Sequence, residues 1–160
     1  MIKIAKEQLR LGGYTPAQIE RDGNVDDPFE LVHDVPHAEK VRSQNAQFFL
    51  QERACHVYAE AQRVQDFKTT CESTEMEDEQ KIVRLGELMN ASHQSCDELY
   101  DCSSPNLNEL IGMCRGAGAL GSRLTGAGWG GCCVSLVRKA DVPQFIESVL
   151  DYYTKERGPG

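Results

Sequence analysis

No apolar run in the sequence approaches the length of a membrane span, and the opening Met1-Ile2-Lys3-Ile4-Ala5-Lys6 lacks the apolar core of a signal peptide. A basic excess is missing as well. Seventeen Lys and Arg stand against 25 Asp and Glu, for a net charge of -8. Phosphate backbones and anionic surfaces are bound mainly by clustered Lys and Arg, so neither a nucleic acid nor a membrane is an expected partner. Cys-x-x-Cys does not occur. The seven cysteines, Cys55, Cys71, Cys96, Cys102, Cys114, Cys132 and Cys133, are odd in number and irregularly spaced. The adjacent Cys132 and Cys133 would point to opposite faces of a strand. A disulfide framework or zinc site is not expected, no metal ligand is assigned, and the thiols are expected to be buried and reduced. At 160 residues the chain is long enough for one domain with a core and short for two. Together these absences predict a soluble, cytoplasmic protein.

What the chain does have is concentrated between Gly118 and Val137. Leu124-Thr125-Gly126-Ala127-Gly128-Trp129-Gly130-Gly131 carries four glycines in six residues between two short apolar runs. A flexible linker would be polar on both sides, whereas these flanks read as strands, so the glycines belong to a turn inside a packed structure. Successive N–H groups in such a turn can converge on an anion, and glycine lets the backbone approach it closely. A tight hairpin turn without a ligand is equally compatible with the pattern. Neither standard nucleotide fingerprint fits: no Lys follows the glycines as in a P-loop, and a second strand follows where a dinucleotide fold needs a helix.

Elsewhere the chain reads as helical. Ile2 to Leu11 is predicted as a helix stopped by Gly12-Gly13, and Thr15-Pro16 as the cap of a short one reaching Arg21. Asp22-Gly23-Asn24-Val25-Asp26 resembles the start of a calcium loop, but its sixth position is Asp27 and its twelfth His33, which excludes that reading. His33 and His37 are four apart, but Pro36 interrupts the face they would share. Apolar spacing predicts a long helix from about Ala38 to Lys68, with a seam of Leu50, Ala54, Val57, Ala61, Val64 and Phe67. A second, after the acidic break 72–79, carries Ile82, Leu85, Met89, Ser92, Cys96 and Leu99. The two are expected to pack as an antiparallel pair. His56 and His93 within them are read as structural. Ser104-Pro105 caps a helix to about Arg115, strands follow at Ala119–Leu124 and Cys132–Val137, and Asp141 opens an amphipathic helix expected to cover one face of the strands. The fold class is α+β, helix-rich: a long helix pair, then strand, glycine loop, strand and helix.

At these residues the chain resembles the galactokinase family of the GHMP small-molecule kinases, and within it the N-acetylgalactosamine kinases. Glu52-Arg53-Ala54-Cys55-His56-Val57-Tyr58-Ala59-Glu60 looks like the family's Arg-Ala-x-His-Val-x-x-Glu helix. Leu85-Gly86-Glu87-Leu88-Met89-Asn90-Ala91-Ser92-His93 looks like its Leu-Gly-x-Leu-Met-x-x-Ser-His segment, and Leu124 to Gly131 like the third GHMP motif. Ser122, Trp129 and Ser95 to Cys102 are similar to the N-acetylgalactosamine branch.

The resemblance implies a lobe like that of a GHMP kinase carboxyl terminus over 38–157, with 1–37 as a poorly matched helical lead-in and 158–160 as a tail. It implies ATP-dependent phosphorylation of the anomeric hydroxyl of galactose or N-acetylgalactosamine, with Mg2+, and cofactor contact at Thr125, Gly126, Ala127, Gly128, Gly130 and Gly131. The family's sugar-binding segment, its Pro-x-Gly-x-Gly-x-Ser-Ser-Ser phosphate loop and its catalytic aspartate and arginine have no counterpart here. No catalytic residue is therefore assigned. The expectation is the carboxyl lobe of a sugar kinase, inactive alone, whose partner is an amino-terminal lobe of the same parent chain that holds most of ATP and Mg2+. A noncatalytic galactose- and ATP-binding sensor of the same family is the alternative.

Overall fold

The computed structural model describes residues 1–23 and 47–157. The expected turn after Gly23, the His33 and His37 pair, the start of the long helix at Ala38 and the tail at 158–160 lie outside them. Two compact units are present, Met1–Tyr58 and Ala59–Gly160. No helix among the described residues is long and apolar enough to cross a membrane.

In the first unit, α1 (Ile2–Gln8) ends one turn earlier than its apolar pattern suggests, because Leu9 is already extended at φ -108° and ψ 135°. Helix α2 (Pro16–Gly23) begins as expected, with the Thr15 hydroxyl accepting from Gln18 N–H and the Gln18 side chain accepting from Thr15 N–H at 2.9 Å. Phe48 and Tyr14 form an antiparallel bridge through two N–H···O bonds of 2.9 Å. That extended pairing excludes helix at 47–49, so α3 starts at Leu50 and runs to Glu72, later at both ends than the periodicity implied. Gln51 ties α3 to α1 through Leu9 O, and the Glu52 carboxylate accepts from Gly12 N–H at 3.0 Å.

The second unit is organised around α4 (Asp78–Ser95). It opens on a capping box between Glu77 and Gln80 and passes without a break into a π-helical turn, Cys96–Tyr100. Helix α5 (Pro105–Gly116) starts at Ser104, whose hydroxyl accepts from Leu107 N–H. Its stop uses Gly118 at φ 103° and returns Ala119 N–H to Cys114 O. Those bonds consume Ala119 and delay β1 to Gly121–Thr125, against the expected Ala119 start. Strand β2 is Cys132–Leu136, and β1 and β2 pair antiparallel with Gly121 opposite Leu136 and Thr125 opposite Cys132. Among the described residues the sheet has these two strands. Helix α6 (Val142–Arg157) follows a 3-10 turn at Lys139–Asp141.

A two-stranded hairpin is marginal in water and needs cover. Helix α4 supplies it along β1. Gly86 and Gly121 meet backbone to backbone: a Cβ on Gly86 would lie 2.5 Å from Leu120 O, and one on Gly121 would lie 2.4 Å from Gly86 O. Four residues along, the Asn90 side chain takes the place of a third strand. Its Nδ2 donates to Leu120 O at 3.0 Å and its Oδ1 accepts from Ser122 N–H at 3.0 Å. Arg115 of α5 donates to Ser122 O at 3.2 Å, so side chains close this edge of the sheet. Beneath it lies the core of Cys96, Cys102, Leu107, Ile111 and Leu124, with Cys133 against it.

Three expectations about packing do not hold. The seam of α3 is largely exposed, Val64 at 58% and Phe67 at 37%, because α3 and α4 leave a cavity of about 550 Å³ between them rather than a closed interface. Polar atoms, not that seam, join the two helices. Helix α6 lies against α5, with Tyr152 hydroxyl donating to Glu109, instead of on the strands, and Val142, Ile146, Leu150 and Tyr153 form an exposed stripe. Cys55, Cys96, Cys102 and Cys114 are buried free thiols, but Cys71 and Cys132 are exposed.

Replacing Asn90 by Ala leaves Leu120 O and Ser122 N–H without partners, and is expected to lower the unfolding free energy by about 2–4 kcal/mol in urea titrations. Asn90→Asp, which can accept but not donate, should lose about half as much. Equal losses in the two variants would mean that Asn90 acts by packing alone.

Candidate functional site: the glycine loop and its anchor

The hairpin β1–β2 presents residues 126–131 at its tip. Five of these six have positive φ: Gly126 at 80°, Gly128 at 86°, Trp129 at 53°, Gly130 at 146° and Gly131 at 83°. Only glycine adopts such values freely, which explains the composition of the stretch. The requirement differs from one position to the next. A Cβ at Gly126, Gly130 or Gly131 would meet open space, whereas one at Gly128 would sit 1.9 Å from Cys102 O. Gly128 is thus the point where the loop is pressed against the segment that follows the π turn. Trp129 N–H donates to Cys102 O at 2.7 Å and its indole Nε1–H to Asp101 O at 3.1 Å.

Of the residues expected to contact a cofactor, Thr125, Gly126, Ala127 and Gly131 are exposed and Gly128 and Gly130 half-buried. They form one continuous surface at the hairpin tip. Among the described residues, none of Gly126, Ala127, Gly128, Gly130 and Gly131 donates its amide to backbone outside the hairpin. The three described cavities are lined by other residues. A turn of this kind can offer backbone donors to an anion and has no cationic side chain of its own. Among the described residues no cluster of three or more His, Cys, Asp or Glu could hold a metal ion.

Glu60, at the end of the first segment singled out in the sequence, is joined to Ser92 of the second and to Arg123, the residue just before the third. Its carboxylate accepts from Ser92 hydroxyl at 2.5 Å, from Arg123 Nη1 at 3.1 Å and from Arg63 Nε at 2.8 Å. Burial alone would raise the Glu60 pKa, but Ser92, Arg63 and Arg123 outweigh it and hold the carboxyl below its ordinary value. Glu60 is therefore an ionised strut under β1. No spacing in the sequence marks it for that role, since two of its three partners, Ser92 and Arg123, lie 32 and 63 residues away.

His93 is 6% exposed, and its pKa is lowered by burial first and then by the Arg115 charge, against the opposing pull of Asp97 and a hydrogen bond with Asn108. Asn108 is itself held by Asp97 at 3.0 Å and Ser103 at 2.6 Å. The imidazole is a neutral packing group, as the sequence suggested. Burial and the neighbouring Cys102 thiol push Cys96 up to about 11, so it is not a nucleophile at neutral pH. Ser122 is fully buried and its hydroxyl pairs with Ser135 across the hairpin at 2.9 Å.

The fold and loop define an α+β domain that carries a side-chain-poor turn on a helix-backed hairpin. A profile of the family described as "GHMP kinases C terminal" matches residues 75–155, just over half of the chain, and the chain belongs to that family. Galactokinase of Dictyostelium discoideum is 42% identical over 130 residues, covering 72% of this chain and 26% of that protein. Galactokinase of Candida parapsilosis is 36% identical over 155 residues, covering 96% and 30%. The solved structure of Lactococcus lactis galactokinase complexed with galactose aligns with TM-score 0.59 and 26% identity over 90% of this chain and 36% of that one. The chain thus spans about a quarter to a third of the length of these relatives.

Glu60 and His93 both have lower pKa values in the folded chain than in an unfolded one. Each adds stability that is complete above its ordinary value, 4.5 for Glu60 and 6.5 for His93, and is lost as pH falls through the folded value. The urea midpoint should therefore decline from about pH 6.5 downwards and more steeply below about 4.5, and His93→Gln should remove the upper part of the decline. A midpoint flat from about pH 7 to 5 would exclude a neutral buried His93. Two glycine substitutions separate backbone strain from close contact. Gly126→Ala is expected to cost about 1 kcal/mol, and Gly128→Ala, which adds a clash to the same strain, more than about 3 kcal/mol. Equal melting temperatures for the two would count against the docking of Gly128 on Cys102.

Proposed function

We propose that this chain is the carboxyl-terminal portion of an ATP-dependent sugar-1-kinase that phosphorylates galactose or N-acetylgalactosamine. Residues 38–157 form its carboxyl lobe. The observation that carries this reading is the largely exposed hairpin tip, with five positive-φ residues, in a chain that is 42% identical over 130 residues to a galactokinase. Phosphoryl transfer depends on alignment and on neutralising charge rather than on covalent chemistry by the protein. Mg2+, when bound with ATP, supplies that neutralisation. Thr125, Gly126, Ala127, Gly128, Gly130 and Gly131 bring backbone donors to the nucleotide phosphates or buttress the loop that holds them. The open space around Gly126, Gly130 and Gly131 fits such an approach. An amino-terminal lobe of the parent chain would hold Mg2+ and most of ATP. The 160 residues alone are then inactive, and the complete protein is cytoplasmic.

Ser122 and Trp129 favour N-acetylgalactosamine over galactose only through their likeness to that branch of the family, and the Ser122 hydroxyl is engaged by Ser135. The substrate is therefore either sugar. A noncatalytic galactose- and ATP-binding sensor would use the same hairpin without turnover.

Incubating the full-length natural polypeptide with ATP and each sugar in turn, with ADP release and sugar 1-phosphate both measured, tests the proposal. Turnover of at least one sugar is expected. Tight binding of galactose and ATP without turnover would point to the sensor, and the absence of both binding and turnover would overturn the sugar-kinase reading.

A further inference from the structure

Among the described residues, two that are not glycine hold a left-handed backbone, Asp101 at φ 62° and Trp129 at φ 53°, and they are bonded to each other. Neither would keep that conformation unless its surroundings imposed it. At Asp101 the cause is the end of the π turn. Asp101 occupies the αL position that follows it, where glycine is the usual residue, and both Asp101 N–H and Cys102 N–H return to Cys96 O, the latter at 3.0 Å. Turning the chain there aims two successive carbonyls, those of Asp101 and Cys102, at the glycine loop. Trp129 meets both, with its indole N–H on the first and its backbone N–H on the second. Gly128, immediately before it, has no room for a Cβ against the second carbonyl.

Burial does not explain Trp129, because its side chain is 66% exposed. Nor does ring shape, since any aromatic residue would project equally. What tryptophan has that phenylalanine lacks is a donor at the ring edge.

We infer that Trp129 is a positioning residue: its two N–H groups clasp the glycine loop to the left-handed end of the π turn and so set the direction in which the following amides, Gly130 and Gly131, are presented. The clasp stands on geometry alone. Its meaning for phosphate binding rests on the reading of the loop given above, and the two can fail separately.

Trp129 is the single tryptophan of the chain, so biosynthetic replacement of tryptophan by 3-benzothienyl-alanine exchanges one indole N–H for sulfur and alters nothing else. In the 15N-labelled chain, hydrogen-exchange protection of the residue 129 amide should fall roughly threefold to tenfold, the size of one neutral hydrogen bond. The Gly130 and Gly131 heteronuclear NOEs should drop with it, while the melting temperature falls by no more than the few degrees that one hydrogen bond is worth, because the ring is exposed. Trp129→Phe should reproduce the loss. Trp129→Gly should loosen the loop further even though it relieves the left-handed strain. Unchanged protection and NOEs in the sulfur isostere would overturn the clasp. A parallel titration with pyrophosphate separates the two claims. If the unmodified chain responds at Gly126, Gly130 and Gly131, the isostere should need a several-fold higher concentration for half-saturation, and an equal concentration would overturn the positioning role. If the unmodified chain does not respond, the loop does not present its own amides to phosphate in this chain, the buttressing alternative stands, and the exchange measurement alone decides the clasp.

Discussion

The second unit depends on the fit of α4 along β1. Two glycines, Gly86 and Gly121, let helix and strand backbones touch, and that approach places the Asn90 carboxamide where a neighbouring strand's peptide group would otherwise stand. A carboxamide has the same donor and acceptor pair as a peptide bond, so one side chain satisfies both Leu120 O and Ser122 N–H. This is how a hairpin of two five-residue strands persists beside helices. Every longer side chain at position 86 or 121 would push the helix away and uncover the edge.

Electrostatics reinforces the same junction from the other side. Glu60 gathers Ser92, Arg63 and Arg123, linking α3, α4 and β1 at one carboxylate. The network lies at the end of the cavity whose walls include Val64, Phe67, Leu88 and Val134. Polar anchoring and an open apolar hollow are thus neighbours, and α3 meets α4 and β1 through the Glu60 carboxylate while Val64 and Phe67 of its apolar seam stay exposed. That inverts the usual expectation for a helix pair, in which apolar contact dominates and surface ions add little.

The hairpin tip inherits its geometry from this scaffold. Its base is fixed by α4 and its far side by the carbonyls of Asp101 and Cys102, so the glycine loop is constrained at both ends although most of its residues are exposed. The strain is gathered at Asp101 and Trp129, beside a π turn, and such features cluster where a protein presents backbone for a purpose. Membership of the GHMP kinases gives that arrangement a family context.

Local chemistry was legible from residue order. Thr15-Pro16 and Ser104-Pro105 announced helix starts, the glycines announced a positive-φ turn, the two strands were placed to within a residue or two, and three ordered segments pointed to the family. Each of these rests on interactions between residues a few positions apart, which spacing encodes. Residue order did not show that Phe48 would be extended by pairing with Tyr14, that the seam of α3 would face a hollow, or that α6 would lie on α5. It also hid the roles of Glu60, Asn90 and Gly128. Apart from Arg63, three residues from Glu60, their partners are 26 to 63 residues distant, and a carboxylate, a carboxamide or a missing Cβ acquires a function only when folding decides which atoms stand opposite it.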